Sequence, residues 1–279
     1  MKINLHTVRT LTAVASLALA NSAFAGEKTA APADKWQYHL FNPTPSNLMR
    51  EMSTDRPDQT ESPYTVDAGH IQIEMDLVSW TRDHGDDDFT FANTNFKVGL
   101  LNNVDLQLVV GTHNSFSSGA DGIGDLETRL KINLWGNDGG KTAFAIMPYV
   151  KWPTAREGVG DNDSIEGGII LPLGIALTDR MGMGLMYELD FLKDEVGNGY
   201  HADHVVTATV SFDLTEKLGM YVEGVAVFPG TSAGDFVAQA DIGWTYSPNE
   251  NLQWDIGANF GLNDAAPDFN PFLGVSIRF

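Results

Sequence analysis

From Gly69 onward, apolar and polar residues alternate with a period of two. Ile71, Ile73, Met75 and Leu77 are interleaved with Gln72, Glu74 and Asp76. The pattern returns at Leu126, Thr128, Leu130, Ile132 and Leu134, and again at Met181, Met183, Leu185, Tyr187, Leu189 and Phe191. It recurs at Val206, Ala208, Val210, Phe212 and Leu214, and at Leu252, Trp254, Ile256, Ala258 and Phe260. A strand points successive side chains to opposite faces, so each stretch carries one apolar and one polar face. A soluble β-sandwich gives the same alternation. These runs extend about ten residues, which suits a tilted membrane-crossing strand rather than a globular one of roughly half that length.

The connections alternate between short and long. Short ones fall at Asn102-Asn103, Gly136 to Gly140, Thr178 to Arg180, Thr215 to Lys217 and Ser247 to Asn251. Longer Gly- and Asp-rich ones fall at Asp83 to Asp88, His113 to Gly122, Thr154 to Asp163, Asp194 to Asp203, Gly230 to Gly234 and Asn263 to Asp268. The expected fold is all-β: a transmembrane antiparallel up-and-down β-barrel of about twelve strands over residues 69–279, with short periplasmic turns and longer outer loops. An even strand count puts both ends of the barrel on the periplasmic side. Leu273, Val275, Ile277 and Phe279 share one face of the last segment, and a terminal aromatic there resembles the signal read by the outer-membrane assembly machinery.

The N-terminal quarter is different material. Residues 1–25 read as a secretory signal: basic Lys2 and Arg9, a short apolar core from Leu11 to Ala20, and a cleavage site after Ala25. Residues 26–68 are polar and punctuated by Pro32, Pro43, Pro45, Pro57 and Pro63, with no sustained period. They are expected to be a periplasmic tail or a segment folded into the lumen.

Composition narrows the function. The formal net charge is -20, which argues against nucleic acid as a partner. The chain has no cysteine, so disulfides, thiolate metal sites and a cysteine nucleophile are excluded. No phosphate-cradling glycine motif is present, and no cofactor is expected. If the apolar faces meet lipid, the polar faces line a lumen. Parity then places Glu74, Asp76, Asp105, Asp125, Glu127, Glu188, Asp190, Asp213, Glu223, Asp241 and Asp255 inside, with Lys97, Arg129, Lys131, Lys151 and Arg278. Charges in so narrow a space need partners or water, so some should pair across strands. The excess of acids favours cations or neutral solutes over anions. Trp135, Trp152, Trp244 and Tyr246 sit near strand ends, where rings form girdles at the membrane interface.

Candidate chemistry changes this picture little. His113-Asn114-Ser115 places His and Ser on one face of a strand, as a lipid hydrolase would, but no third group orients them. His201-Ala202-Asp203-His204 lies in an expected loop without the spacing of a zinc motif. Asp86-Asp87-Asp88 and Asp161-Asn162-Asp163 are expected at solvated loop tips, where the alternative is divalent-cation binding beside lipopolysaccharide. An enzyme is not expected.

The stretch from Ser53 to Val66, STDRPDQTESPYTV, followed by Gly69-His70-Ile71-Gln72-Ile73-Glu74, resembles an outer-membrane transporter family linked to the meta-pathway of phenol degradation. Gly122-Ile123-Gly124-Asp125-Leu126 and Pro148 to Thr154 extend the likeness, which runs from about Thr54 to the C-terminus. The resemblance implies a barrel and the passage of small, often aromatic, compounds. Its most specific element is Asp55-Arg56-Pro57-Asp58, just before the first strand. Arg56 there would pair with a lumenal acid such as Glu127 or Asp241 and tuck the segment into the pore; a plain periplasmic linker is the alternative. The function expected is uptake of small solutes by passive or facilitated diffusion. A structural or adhesive barrel with a closed lumen stands as the runner-up.

Overall fold

The alternating stretches pair edge to edge until the sheet closes on itself. The computed structural model describes residues 34–156, 159, 164–194, 197–232 and 234–279. The expected signal segment with its cleavage after Ala25, and the acidic tip Asp161-Asn162-Asp163, lie outside those residues. The strands are β1 (Ile71–Asp83), β2 (Asp86–Leu101), β3 (Val104–Ser115), β4 (Asp121–Gly122), β5 (Leu126–Trp135), β6 (Thr142–Trp152) and β7 (Glu166–Thr178). They continue as β8 (Met181–Lys193), β9 (Tyr200–Asp213), β10 (Leu218–Phe228), β11 (Val237–Asn249), β12 (Leu252–Gly261) and β13 (Phe269–Arg278). All pairings are antiparallel, β3 passes to β5, and β1 closes the ring on β13 with Gln72 opposite Arg278. Twelve strands form the wall, and the two-residue β4 pairs only with the end of β3. Closure leaves no unpaired strand edge, as a lipid environment demands.

Burial is inverted relative to a soluble protein. Lys97 is 1% exposed and Lys131 0%, whereas Ile256 is 56% exposed and Trp135 49%. The polar face of each strand is therefore the inner one, and the apolar face looks outward to lipid. Trp244, Tyr246 and Trp254 share the outer face near the short-turn end, and Trp152 lies at the opposite end of the wall. Strict alternation would put Trp135 on the face of Lys131 and Asn133. A bulge after Asn133 turns it outward, where it stacks on Phe144 at 4.8 Å.

Two connections differ from expectation. His201-Ala202-Asp203-His204, expected in a loop, lies within β9, where it pairs with Leu189 to Leu192 of β8. The acidic stretch Asp83 to Asp88 is not a long loop: β1 and β2 run to a two-residue turn at His84-Gly85. Both residues have positive φ, 49° and 97°, which matches the twist of a tight hairpin. Asp86, Asp87 and Asp88 are thus strand residues, and Asp87 pairs with Arg82 at 2.8 Å instead of standing free for a cation.

The chain ahead of β1 enters at the short-turn end. His39 bridges to Leu101, and Ala68 bridges to Gly99. A Cβ on Gly99 would lie 2.1 Å from the Asp67 carbonyl oxygen, so only glycine lets the segment cross β2 so closely.

Candidate functional site

Prolines at 43, 45, 57 and 63 deny residues 34–68 a regular ladder, and the one helical turn is Ser46–Leu48. Extended backbone without a ladder still needs partners for its N–H groups. The inner wall supplies them. Asp55 N donates to Glu74 at 2.9 Å, Gln59 N and Thr60 N to the two oxygens of Glu223 at 2.7 and 2.9 Å, and Val66 N to Asp105 at 3.0 Å. The Glu61 N–H points at the Met186 sulfur, 3.3 Å away. These partners lie on β1, β3, β8 and β10, and others lie on β2, β5, β9, β11 and β12. A segment that touches so many strands by their inner faces lies within the lumen.

Residues 50–67 form a hairpin-shaped loop with both feet at the short-turn end. Arg50 reaches the Thr65 carbonyl at 3.3 Å and the Asn102 carbonyl at 3.0 Å, and it pairs with Asp67 at 3.2 Å. Arg278, at the end of β13, donates to the Arg50 carbonyl at 2.8 Å. Ser53 and Ser62 hydroxyls join the two limbs at 2.6 Å, and Ser62 N donates to Asp55 at 3.0 Å.

The motif from Asp55 to Asp58 makes the deepest contacts. Asp55 sits between Lys97, at 2.5 Å, and Lys131, and it also accepts from Gln107 at 3.2 Å. Burial works against its charge, but Lys131 and Lys97 outweigh that and hold the Asp55 carboxyl well below the usual carboxylate range. Arg56 pairs with Asp76 at 2.6 Å and Asp255 at 2.7 Å, with its guanidinium 5.7 Å from the Phe272 ring. A Cβ on Gly274 would fall 2.2 Å from the Arg56 Nη2, so this glycine makes room for the guanidinium. The expected partners Glu127 and Asp241 are engaged elsewhere, Glu127 by Arg129 and Asp241 by the Gln59 amide at 3.1 Å. Asp58 lies beside Glu223. Burial and that neighbouring carboxylate push Asp58 well above the usual range, against a hydrogen bond from Thr209.

The other predicted residues divide by depth. Arg129 pairs with Glu61 of the hairpin as well as Glu127. Asp190 accepts the Tyr149 hydroxyl, and Glu188 lies beside it. Lys151 pairs with Glu166 at 2.7 Å. Asp125 lies just before β5 and accepts the backbone N–H groups of Thr154 and Ala155, each at 2.8 Å, so it ties an outer connection and touches no hairpin residue. Asp213 is exposed at the short-turn end of β9. His113 lies against Phe91, Ser115 pairs with Asp121, and no hydrogen bond joins His113 to Ser115. His201 pairs with Asp194 at 2.8 Å, and among the described residues no His, Asp and Glu cluster is arranged to hold a metal ion.

Uncharged contributors escaped a reading based on charge. Gln72, Gln107, Thr207 and Asn133 are buried on the inner wall, where Thr207 meets the Thr60 hydroxyl at 2.5 Å and Asn133 donates to the Pro63 carbonyl at 2.9 Å. Parity alone would have found them.

Of the cavities that touch the hairpin among the described residues, two lie along its deep part. One of about 350 Å³ lies between it and residues such as Asp76, Asn93 and Asn270. The other, about 500 Å³, lies towards the short turns, against Gly174, Gly182 and Gly184. Asp58 and Glu61 line both.

The model of a family described as "Putative MetA-pathway of phenol degradation" matches residues 54–279. The chain belongs to that family. The match begins at the Asp-Arg-Pro-Asp motif, so it includes the deep part of the hairpin with the barrel. Among solved structures, the NanC porin has a TM-score of 0.55 at 8% identity, covering 74% of this chain and 98% of its own. The KdgM porin has a TM-score of 0.50 at 12% identity, covering 75% of this chain and 99% of its own. At these identities the likeness is one of fold, the outer-membrane porin fold. No curated protein matches the chain in sequence.

Proposed function

We propose that this outer-membrane barrel is a channel for small solutes, aromatic or hydrophobic ones among them, which cross by passive or facilitated diffusion once the 50–67 hairpin shifts. The observation that carries the reading is the pair of cavities on either side of the hairpin with Asp58 and Glu61 common to both. Only a short stretch of chain separates them, so a modest displacement joins them into one path. The porin fold and the family description support conduction rather than catalysis.

The second reading, a structural barrel with a permanently closed lumen, draws on the Asp55 clamp. Two buried lysines on one carboxylate form a contact that is costly to break. A swelling assay in liposomes separates the two. Arg50 and Thr65 touch, so residues 51–64 can be replaced by a short Gly-Ser linker without moving either foot. The channel reading expects slow swelling with the native chain and fast swelling with the replacement. A folded replacement barrel that remains impermeable contradicts it.

A further inference from the structure

The lumen wall changes character around the ring. On β5, β8, β10 and β11 it is rich in carboxylates, with Glu127, Glu188, Asp190, Glu223 and Asp241. The adjoining strands β12, β13, β1 and β2 add a neutral arc of Asn259, Asn270, Ser79, Asn93 and Asn95. Asn259 stands opposite Asn270 in the β12–β13 ladder and donates to it at 3.0 Å, and Asn270 donates to the Ser79 hydroxyl at 2.7 Å. This arc is one side of the cavity of about 350 Å³, and Pro57, Asp58, Gln59 and Glu61 of the hairpin close the other. Ser79, Asn259 and Asn270 lie near the strand ends remote from the short turns, so a solute from the far side meets this cavity before the hairpin.

The charges in the lining are already paired by the protein. Arg56 is held by Asp76 and Asp255, Arg129 by Glu61 and Glu127, and Lys97 serves both Asp55 and Glu74. Asp58, the remaining lining charge, is held towards its neutral form by burial and Glu223. Hydrogen bonding is what stays open. Among the described residues, Asn95 Oδ1 and Glu61 Oε2 are buried acceptors without a partner, and both residues line the cavity. Asn95 uses its N–H on Gln107 at 2.9 Å, and Glu61 gives its other oxygen to Arg129. A buried acceptor left unpaired is unfavourable, so the cavity favours an occupant that brings donors. Val109 and Phe272 set apolar patches among these groups. A ring with hydroxyl edges and C–H faces meets both demands. A bare aromatic ring leaves the acceptors unpaired, and an ion finds its counter-charges taken. The volume is that of roughly ten waters at about 30 Å³ each, and it reaches the ~300 Å³ at which ligand pockets begin.

We infer that this cavity is a binding site for a neutral polyol the size of one monosaccharide, held between the asparagine arc of β12–β13–β1–β2 and the hairpin. The inference rests on the channel reading and adds a solute class that uptake of aromatic compounds does not imply. Asn95 and Asn259 are the positions to probe, because they stand on opposite parts of the arc. Asn95→Leu removes the unpaired acceptor, and Asn259→Leu removes the start of the amide chain. Ser211→Ala is the control, since Ser211 lines the other cavity.

The test is saturation-transfer NMR of myo-inositol on the full-length barrel at neutral pH, in an amine-oxide detergent with no sugar headgroup to compete. Folding of each variant is checked by heat-modifiable mobility. Myo-inositol is expected to give a saturable signal. Glucuronate and benzyl alcohol are expected to displace it only at concentrations at least about tenfold higher. Asn95→Leu and Asn259→Leu should each weaken myo-inositol by about fivefold or more, and Ser211→Ala should leave it unchanged. Absence of a saturable signal means that water alone fills the cavity, and it overturns the site. So does displacement by glucuronate or benzyl alcohol at equal concentration, full affinity in the folded asparagine variants, or an equal loss in Ser211→Ala. Liposome swelling is scored separately. Swelling of the 51–64 replacement without a myo-inositol site in the native chain leaves the channel reading standing and removes the site, and a site without swelling does the reverse.

Discussion

The hairpin meets two unlike walls. On β2 and β5 it is held by cations: Lys97 and Lys131 on Asp55, and Arg129 on Glu61. On β10 and β11 it faces carboxylates, Glu223 and Asp241, which hold it only through backbone N–H groups, the Thr60 hydroxyl and the Gln59 amide. Among the described residues, one Asp241 oxygen and the Tyr221 hydroxyl on that side have no hydrogen-bond partner. Charge is balanced on one wall and in surplus on the other. Buried pairs are hard to break singly, while acids that share a site repel. Under the proposed channel reading, the β2–β5 wall is the anchor, and the β9–β11 wall is the side from which the hairpin is expected to lift.

The largest expected effect comes from removing the hairpin. Replacing residues 51–64 by a short linker should raise single-channel conductance severalfold, whichever wall matters more. Next is Asp55→Ala, which takes buried Lys131 away from its ion-pair partner and leaves Lys97 with Glu74 alone, at a cost of about 3–5 kcal/mol. Its barrel should melt earlier and its channel stay open. Adding Lys131→Met should restore much of the melting temperature but not closure, since Lys97 keeps Glu74. Recovery of closure in the double variant would show that the clamp is not the anchor. Arg56→Ala removes the pairs with Asp76 and Asp255, with an expected cost nearer 1.5–3 kcal/mol and a smaller rise in conductance.

Acidity should act on the two walls differently. Asp55 has a depressed pKa, so its stabilisation is present above its unfolded value and is lost only as pH falls through the lower folded one. Asp58 is raised by burial and by Glu223, so its contribution is present when it is protonated and is lost as pH rises through the folded value. Conductance should therefore rise as pH rises through the folded value of Asp58, and Asp58→Asn should flatten that dependence. The smallest expected effect is charge selectivity. Acids outnumber bases by 37 to 17 over the chain, so an open channel should prefer K⁺ over Cl⁻, with reversal potentials in a salt gradient as the readout.

Much of the barrel was legible because period two is a local property: each residue from Ile71 to Asp76 declares its face through its neighbours. The strand count and the closing β1–β13 pair followed from that alternation and the rhythm of the turns. The legible part ended where geometry departs from strict alternation. The bulge beside Trp135 and the tight turn at His84-Gly85 depend on backbone torsions that hydropathy does not encode. The hairpin was half legible. The prolines announced a segment outside the ladder, and the Asp-Arg-Pro-Asp motif marked its deep part. Which acids receive Arg56 depends on how residues some two hundred positions apart are brought together by closure. Glu127, Asp241, Asp76 and Asp255 are equally plausible acids in the sequence, and only the ring of strands puts the last two beside Gly274.

The central claim is that the hairpin is a movable closure. The chain has no cysteine, which makes a reversible tether simple to introduce. Thr60 on the hairpin and Thr207 on β9 have hydroxyl oxygens 2.5 Å apart, on the wall from which the hairpin is expected to lift. The decisive measurement is the conductance of Thr60→Cys/Thr207→Cys in a planar bilayer, first oxidised and then reduced in place. The account predicts a silent channel when oxidised and native-level openings after reduction. Equal conductance in the two states would contradict it.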